Sequence, residues 1–136
     1  MAIRRTTRAN VPKFDALSTF LDSVASKQVE IKYDLVVSAD VSVRELYIGY
    51  TKILLKKDQD PENMNHFSTG SNSYKCTFRT EGLKVIVIAD GMTGGYLELK
   101  ISVKSTIDGN FKDINDNPIK KKTDNMGHLD HNQFHN

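Results

Sequence analysis

Across residues 28–39, QVEIKYDLVVSA, apolar side chains recur at every second position: Val29, Ile31, Tyr33, Leu35 and Val37 in one phase, Glu30, Lys32, Asp34 and Ser38 in the other. Successive side chains of an extended chain point to opposite sides, so this rhythm predicts a strand with one dry face and one wet face. The same rhythm returns in YLELKISVKSTI, where Leu97, Leu99, Ile101, Val103 and Ile107 alternate with Glu98, Lys100, Ser102 and Lys104. Strands of this kind are stable only in a sheet, and the sheet must bury its dry face against something. That requirement constrains the fold more than any other feature.

The intervening segments supply further strands. In SYKCTFRTEGLKVIVIADG the spacing predicts two strands joined in a tight hairpin at Glu81-Gly82, with Tyr74, Cys76 and Phe78 in one phase of the first. The second is apolar in both phases, with Leu83, Val85 and Val87 on one side and Ile86 and Ile88 on the other. Apolar residues on both sides call for two coverings, from a second layer of the chain or from another subunit. In VRELYIGYTKILLK the phase switches between Leu46, Ile48 and Tyr50 and the later Ile53 and Leu55, which predicts a long strand with a bulge or bend near Gly49. Residues 56–73 are polar, hold Pro61 and Gly70, and read as a long loop.

A cover for the dry face is available at residues 10–25, NVPKFDALSTFLDSVA, where Phe14, Leu17, Phe20, Leu21 and Val24 lie at helical spacing behind Pro12. The expected fold is therefore α+β, an N-terminal amphipathic helix packed on a mainly antiparallel five-stranded β-meander. A small β-sandwich with an accessory helix is the alternative. The expected organisation is a basic N-terminal arm at residues 1–11, one helix-plus-sheet domain at 12–107, and a polar Asn/Asp/His-rich C-terminal arm at 108–136. A chain of 136 residues is sufficient for one such core.

Composition narrows the functional classes. Cys76 is the single cysteine, so no intrachain disulfide can form, and its phase makes it a core thiol. The start MAIRRTTRAN lacks the apolar core of a secretory signal, and no apolar run approaches the roughly 18 residues of a membrane span. The expectation is a soluble protein made in a reducing cytoplasm, with association to a released particle left open. The net charge of +2 is small, yet Arg4, Arg5, Arg8 and Lys13 all precede the first acidic residue. Such an arm is a candidate for phosphate or partner contact, and Lys120, Lys121 and Lys122 form a second basic run.

Two constellations in the C-terminal region have metal-ligating chemistry. His128, His131 and His135 are spaced three and four apart, as one helix face would require, and imidazole nitrogens bind zinc-like ions. In DINDNPIKKKTD, Asp113, Asn115 and Asn117 alternate and Asp124 stands at the twelfth position of a calcium loop, although Pro118 occupies the place of the turn glycine. The string Asp113-Ile114-Asn115-Asp116-Asn117 also resembles the D-x-N-D-N motif of cadherin linkers, with the proline one residue early and no companion motif elsewhere. That resemblance would imply oxygen ligation of calcium. Asp58, Asp60, Glu62 and His66 form one more acidic cluster, which Pro61 marks as an exposed turn.

No nucleophile elbow, phosphate loop or H-E-x-x-H sequence occurs. The reading that follows is a non-enzymatic structural or assembly protein without cofactor or small-molecule substrate, self-associating or docking into a larger particle such as a virion or contractile apparatus. Its expected interface residues are Ile86, Ile88 and Val36. The alternatives are a protein-binding inhibitor or adaptor that uses the 56–73 loop, and a nucleic-acid binder that uses the basic arm.

Overall fold

A computed structural model describes residues 27–105 and 109–136. Strands account for 62% of it and helix for 4%. In chain order the elements are β1 (Lys27–Val37), β2 (Ser42–Ile48), β3 (Thr51–Lys52), the single helical turn α1 (Leu55–Asp58), β4 (Gln59–Asp60), β5 (Asn63–Ser68), β6 (Tyr74–Phe78), β7 (Leu83–Asp90), β8 (Tyr96–Ser105), β9 (Lys112–Asp113), β10 (Ile119–Lys122) and β11 (His128–His135).

These strands form two antiparallel sheets. In the first, sheet A, β1 and β8 run side by side at the centre, from Val29 opposite Ser105 to Val37 opposite Leu97. The far edge of β1 is shared by β6 and β5 in succession, and the far edge of β8 by β9 and β10; β4 pairs with β5. Sheet B has the order β11-β7-β2-β3. The two dry faces share one core. Ile31, Leu35, Leu97, Leu99 and Ile101 come from sheet A, and Leu46, Ile48, Leu83, Val85 and Val87 from sheet B; all ten are at most 1% exposed.

The expected α+β meander is thus replaced by two layers of sheet. In a meander each strand neighbours the next, whereas here β1 and β2, β3 and β4, β6 and β7, β7 and β8, and β10 and β11 lie in different sheets. The strand alternation was read as it stands: Val29, Ile31, Tyr33, Leu35 and Val37 are all buried. A one-sided strand has the same pattern whether a helix or another sheet covers it, and this is why the pattern did not reveal the second layer. The sandwich alternative had two layers of sheet, and its accessory helix is not among the described residues. The helix expected at residues 10–25 and the arm at 1–11 lie outside the described residues.

Three local readings also change. The bend near Gly49 is a two-residue turn, with Gly49 at φ 56° and Tyr50 at φ 67°, and it folds β3 back onto β2. Both central residues of this turn type need positive φ, which matches the strand twist. Gly49 has a second reason to be glycine, since a Cβ there would stand 2.7 Å from the Cys76 side chain in the other sheet. The Glu81-Gly82 hairpin shrinks to one bridge between Arg79 and Gly82, after which β6 and β7 diverge into different sheets. Residues 56–73 hold most of α1 and all of β4 and β5 rather than one long loop.

Residues 108–136, expected as a polar arm, contribute β9, β10 and β11. Isolated apolar residues do the anchoring: Ile114, Ile119 and Leu129 are buried in the common core. β11 runs the full length of β7, from His128 opposite Asp90 to His135 opposite Leu83. Short strands of this kind need only one inward residue per turn of the pleat, so a polar composition does not exclude them.

Candidate functional site

The outward face of sheet B carries a feature that its counterpart lacks. Directly paired residues share a face, so Ile86 on β7 stands between Tyr47 of β2 and Asn132 of β11, and Ile88 stands between Glu45 and Asp130. One row further, Lys84 pairs with Phe134 and its ammonium lies 4.6 Å from the ring centroid. Tyr47, Ile86, Ile88 and Phe134 form a half-buried apolar strip down the sheet. Its charges are unevenly placed, with Lys84 one row to one side of Ile86, Glu45 and Asp130 one row to the other, and Lys52 level with Ile86 on the edge strand β3. Beyond them Asp90 joins Arg44 at 2.8 Å and His128 at 3.0 Å. The Arg44 and His128 hydrogen bonds hold the Asp90 carboxyl below its usual range, and the Asp90 bond in turn raises His128.

Of the three expected interface residues, Ile86 and Ile88 are brought together, and Val36 is not. Val36 is 36% exposed on the outward face of sheet A, beside His66 and Glu98, on the opposite side of the molecule. Sequence reasoning missed Tyr47 and Phe134. The phase of Tyr47, opposite to Leu46 and Ile48, was a usable signal; Phe134 gave none while its segment read as a tail.

The histidine trio is divided by strand geometry. The spacing that would share a helix face places His131 and His135 inward on β11 and His128 outward, exposed beside Asp90. His131 and His135 are buried, with Nε2 atoms 2.9 Å apart and rings stacked at 5.1 Å. His135 Nδ1 lies 2.7 Å from Asp116 Oδ2, and His131 Nδ1 is buried without a hydrogen-bond partner. Burial, then the neighbouring His135 and Lys121, push the His131 imidazole down to about 4.

The oxygen-rich segment is likewise spent on local structure. Asn117 Oδ1 accepts the Ile101 N–H at 2.8 Å, Asp124 Oδ1 accepts the N–H groups of Met126 and His128, and Asp113 lies in β9. Among the described residues no group of three or more His, Cys, Asp or Glu is arranged to hold a metal ion. Arg4, Arg5 and Arg8 lie outside the described residues. Lys120 and Lys122 are exposed on the edge strand β10, and Lys121 points inward, half-buried. Charges on an edge strand, above all inward ones, discourage pairing with another chain.

The acidic cluster of residues 58–66 divides in two. Asp58 Oδ2 accepts hydrogen bonds from Tyr33 Oη at 2.8 Å and Tyr74 Oη at 2.6 Å, which ties α1, the link from sheet B to sheet A, onto the core. Burial, followed by the Asp58 bond, raises both phenols, Tyr74 to about 12. On the outward face of sheet A, His66 bridges Asp34 at 2.9 Å and Asp60 at 3.2 Å. Burial opposes charge on His66, but the two carboxylates outweigh it and raise its pKa. Cys76 is buried in the core and burial pushes its thiol up to about 12, far from a reactive thiolate. Comparison with known proteins identifies no matching family model, no matching curated protein and no matching solved structure. No helix among the described residues is long and apolar enough to cross a membrane.

Proposed function

We propose that the protein is a non-enzymatic subunit that self-associates through the outward face of sheet B, as a component of a larger assembly of the kind a virion or contractile particle is built from. The observation that carries this reading is the strip of Tyr47, Ile86, Ile88 and Phe134 with its unevenly placed charges. The occupant we assign to it is a second copy of the chain. A two-fold axis through the strip at the level of Ile86 sets Lys84 of one copy toward Glu45 and Asp130 of the other, and two-fold interfaces require such self-complementarity. Half-covered aromatic and branched residues at the centre with charges at the rim follow the usual anatomy of an interface. The adaptor alternative draws less support, because residues 56–73 are committed to α1, β4 and β5.

Sedimentation of the full chain over a range of concentrations tests the proposal. The expected result is a concentration-dependent dimer or larger species. The pair Ile86→Lys and Ile88→Lys should weaken it at least tenfold, about 1.4 kcal/mol, while the urea midpoint stays close to wild type. A wild-type chain that sediments as a monomer at high micromolar concentration overturns the assignment.

A further inference from the structure

The interior polar pair on β11 stands apart from the self-association surface and supports an inference of its own. His131 and His135 are 4% and 3% exposed on an edge strand whose ladder partner is β7. Asp116 accepts the Nδ1 proton of His135 at 2.7 Å, which leaves the two Nε2 atoms, 2.9 Å apart, to share one proton between them. With both rings neutral, His131 donates that proton and its Nδ1 is a bare acceptor; one added proton, on that Nδ1, still leaves a single N–H in the gap. A second proton in the gap would oppose two N–H donors head to head, which no hydrogen-bond geometry allows at that distance. The pair therefore holds together only while at least one ring is neutral.

The surroundings offer little help to a second charge. Lys121 reaches the pair from β10 and adds a like charge, whereas Asp116, in the turn before β10, is the one carboxylate that favours a cation. The inward residues of β7, Leu83, Val85 and Val87, and of β8, Leu97, Leu99 and Ile101, are apolar and fully buried. The first half of β11 behaves in the opposite way, since His128 is hydrogen-bonded to Asp90 of β7 and that bond is strengthened when His128 is protonated.

We propose that the C-terminal half of β11 is an acid-released latch: the proton shared by His131 and His135 holds residues 131–135 against β7 at neutral pH, and protonation of the second imidazole forces the rings apart and frees that half of the strand. Release uncovers the β7 edge at Leu83 to Val87, an unpaired row of backbone donors and acceptors next to core side chains. An exposed edge of this kind is a template for another strand. The signs follow from linkage. A base whose folded pKa is depressed binds more protons when open, so closure is favoured above the open-state pKa and weakens as pH falls. With His131 lowered from 6.5 to about 4, the opening constant rises about tenfold per pH unit across that window, to a limit of roughly 300-fold.

Amide hydrogen exchange of the full chain, corrected for intrinsic rates, tests this between pH 7.5 and 4.5. Protection of residues 131–135 should fall about tenfold per unit below pH 6.5, while residues 97–103 of β8 keep theirs and 128–130 lag behind. In His131→Phe, which cannot take the second proton, the acid dependence of the 131–135 segment should vanish. Protection that is unchanged in acid, that falls equally in β8, or that falls equally in His131→Phe overturns the proposal. If that variant does not fold, the wild-type imidazole carbon-proton shift of His131 decides by NMR. Titration near 6.5 without loss of protection refutes the latch; titration that tracks the loss supports it.

Discussion

The two sheets have the same kind of inner face and very different outer ones. On sheet A the outward residues of the central strands are mostly charged, Glu30, Lys32, Asp34, Glu98, Lys100 and Lys104, with Val36 and Tyr96 exposed among them; Lys104 is 3.8 Å from Glu30, and Lys32 and Lys104 are 4.8 and 5.3 Å from the Phe111 ring. On sheet B the corresponding positions are Tyr47, Ile86 and Ile88. The lattice on sheet A satisfies itself in water. The strip on sheet B leaves a contiguous apolar area, and this contrast is the reason the proposed self-association is assigned to that side of the molecule.

The inner symmetry is the easiest part to break. Leu99→Ala on sheet A and Leu83→Ala on sheet B remove fully buried side chains from one core, and each should cost about 2–5 kcal/mol in urea unfolding. A large loss in one and almost none in the other would mean that the sheets do not share a core. A smaller effect concerns the link between them. Asp58→Ala strands the Tyr33 and Tyr74 hydroxyls, and a loss of about 1–3 kcal/mol is expected by the same measurement, against about 1 kcal/mol for Tyr74→Phe.

The outer contrast can be sharpened with single charges. Glu45→Lys should weaken self-association several-fold and reverse its salt dependence, whereas Val36→Lys on the other face should leave sedimentation unchanged. If both variants behave alike, the strip is not the interface. The finest difference is titrimetric. His66 on sheet A has a raised pKa, so the stability it contributes is complete below the unfolded value near 6.5 and is lost as pH rises through the folded value. Asp34→Asn should move the His66 titration down toward 6.5 in an NMR experiment, while His128 on sheet B keeps its own raised value through Asp90.

Only part of the candidate site was legible beforehand. Ile86 and Ile88 announced themselves because they break the one-sided rhythm of β7, but Tyr47 and Phe134 join them through pairings between strands far apart in the chain. The His131–His135–Asp116 chain was hidden by a period error: at helical spacing three histidines share a face, and at strand spacing the middle and last turn inward together while the first turns out. Asp116 meets His135 across a turn and a strand, and no local pattern encodes that contact.

The alternation of β1 and β8 determined, from the sequence alone, which of their side chains would turn inward, because a pleated chain has only two faces and water accepts only one of these. What only the tertiary structure decided is which strands lie beside one another, and so whether one sheet or two would hide the dry sides. Backbone hydrogen bonds between strands are nearly the same for every pairing. The choice therefore falls to the packing of the whole core, to which Ile114, Ile119 and Leu129, solitary in a polar stretch, contribute as much as the strands that advertise themselves.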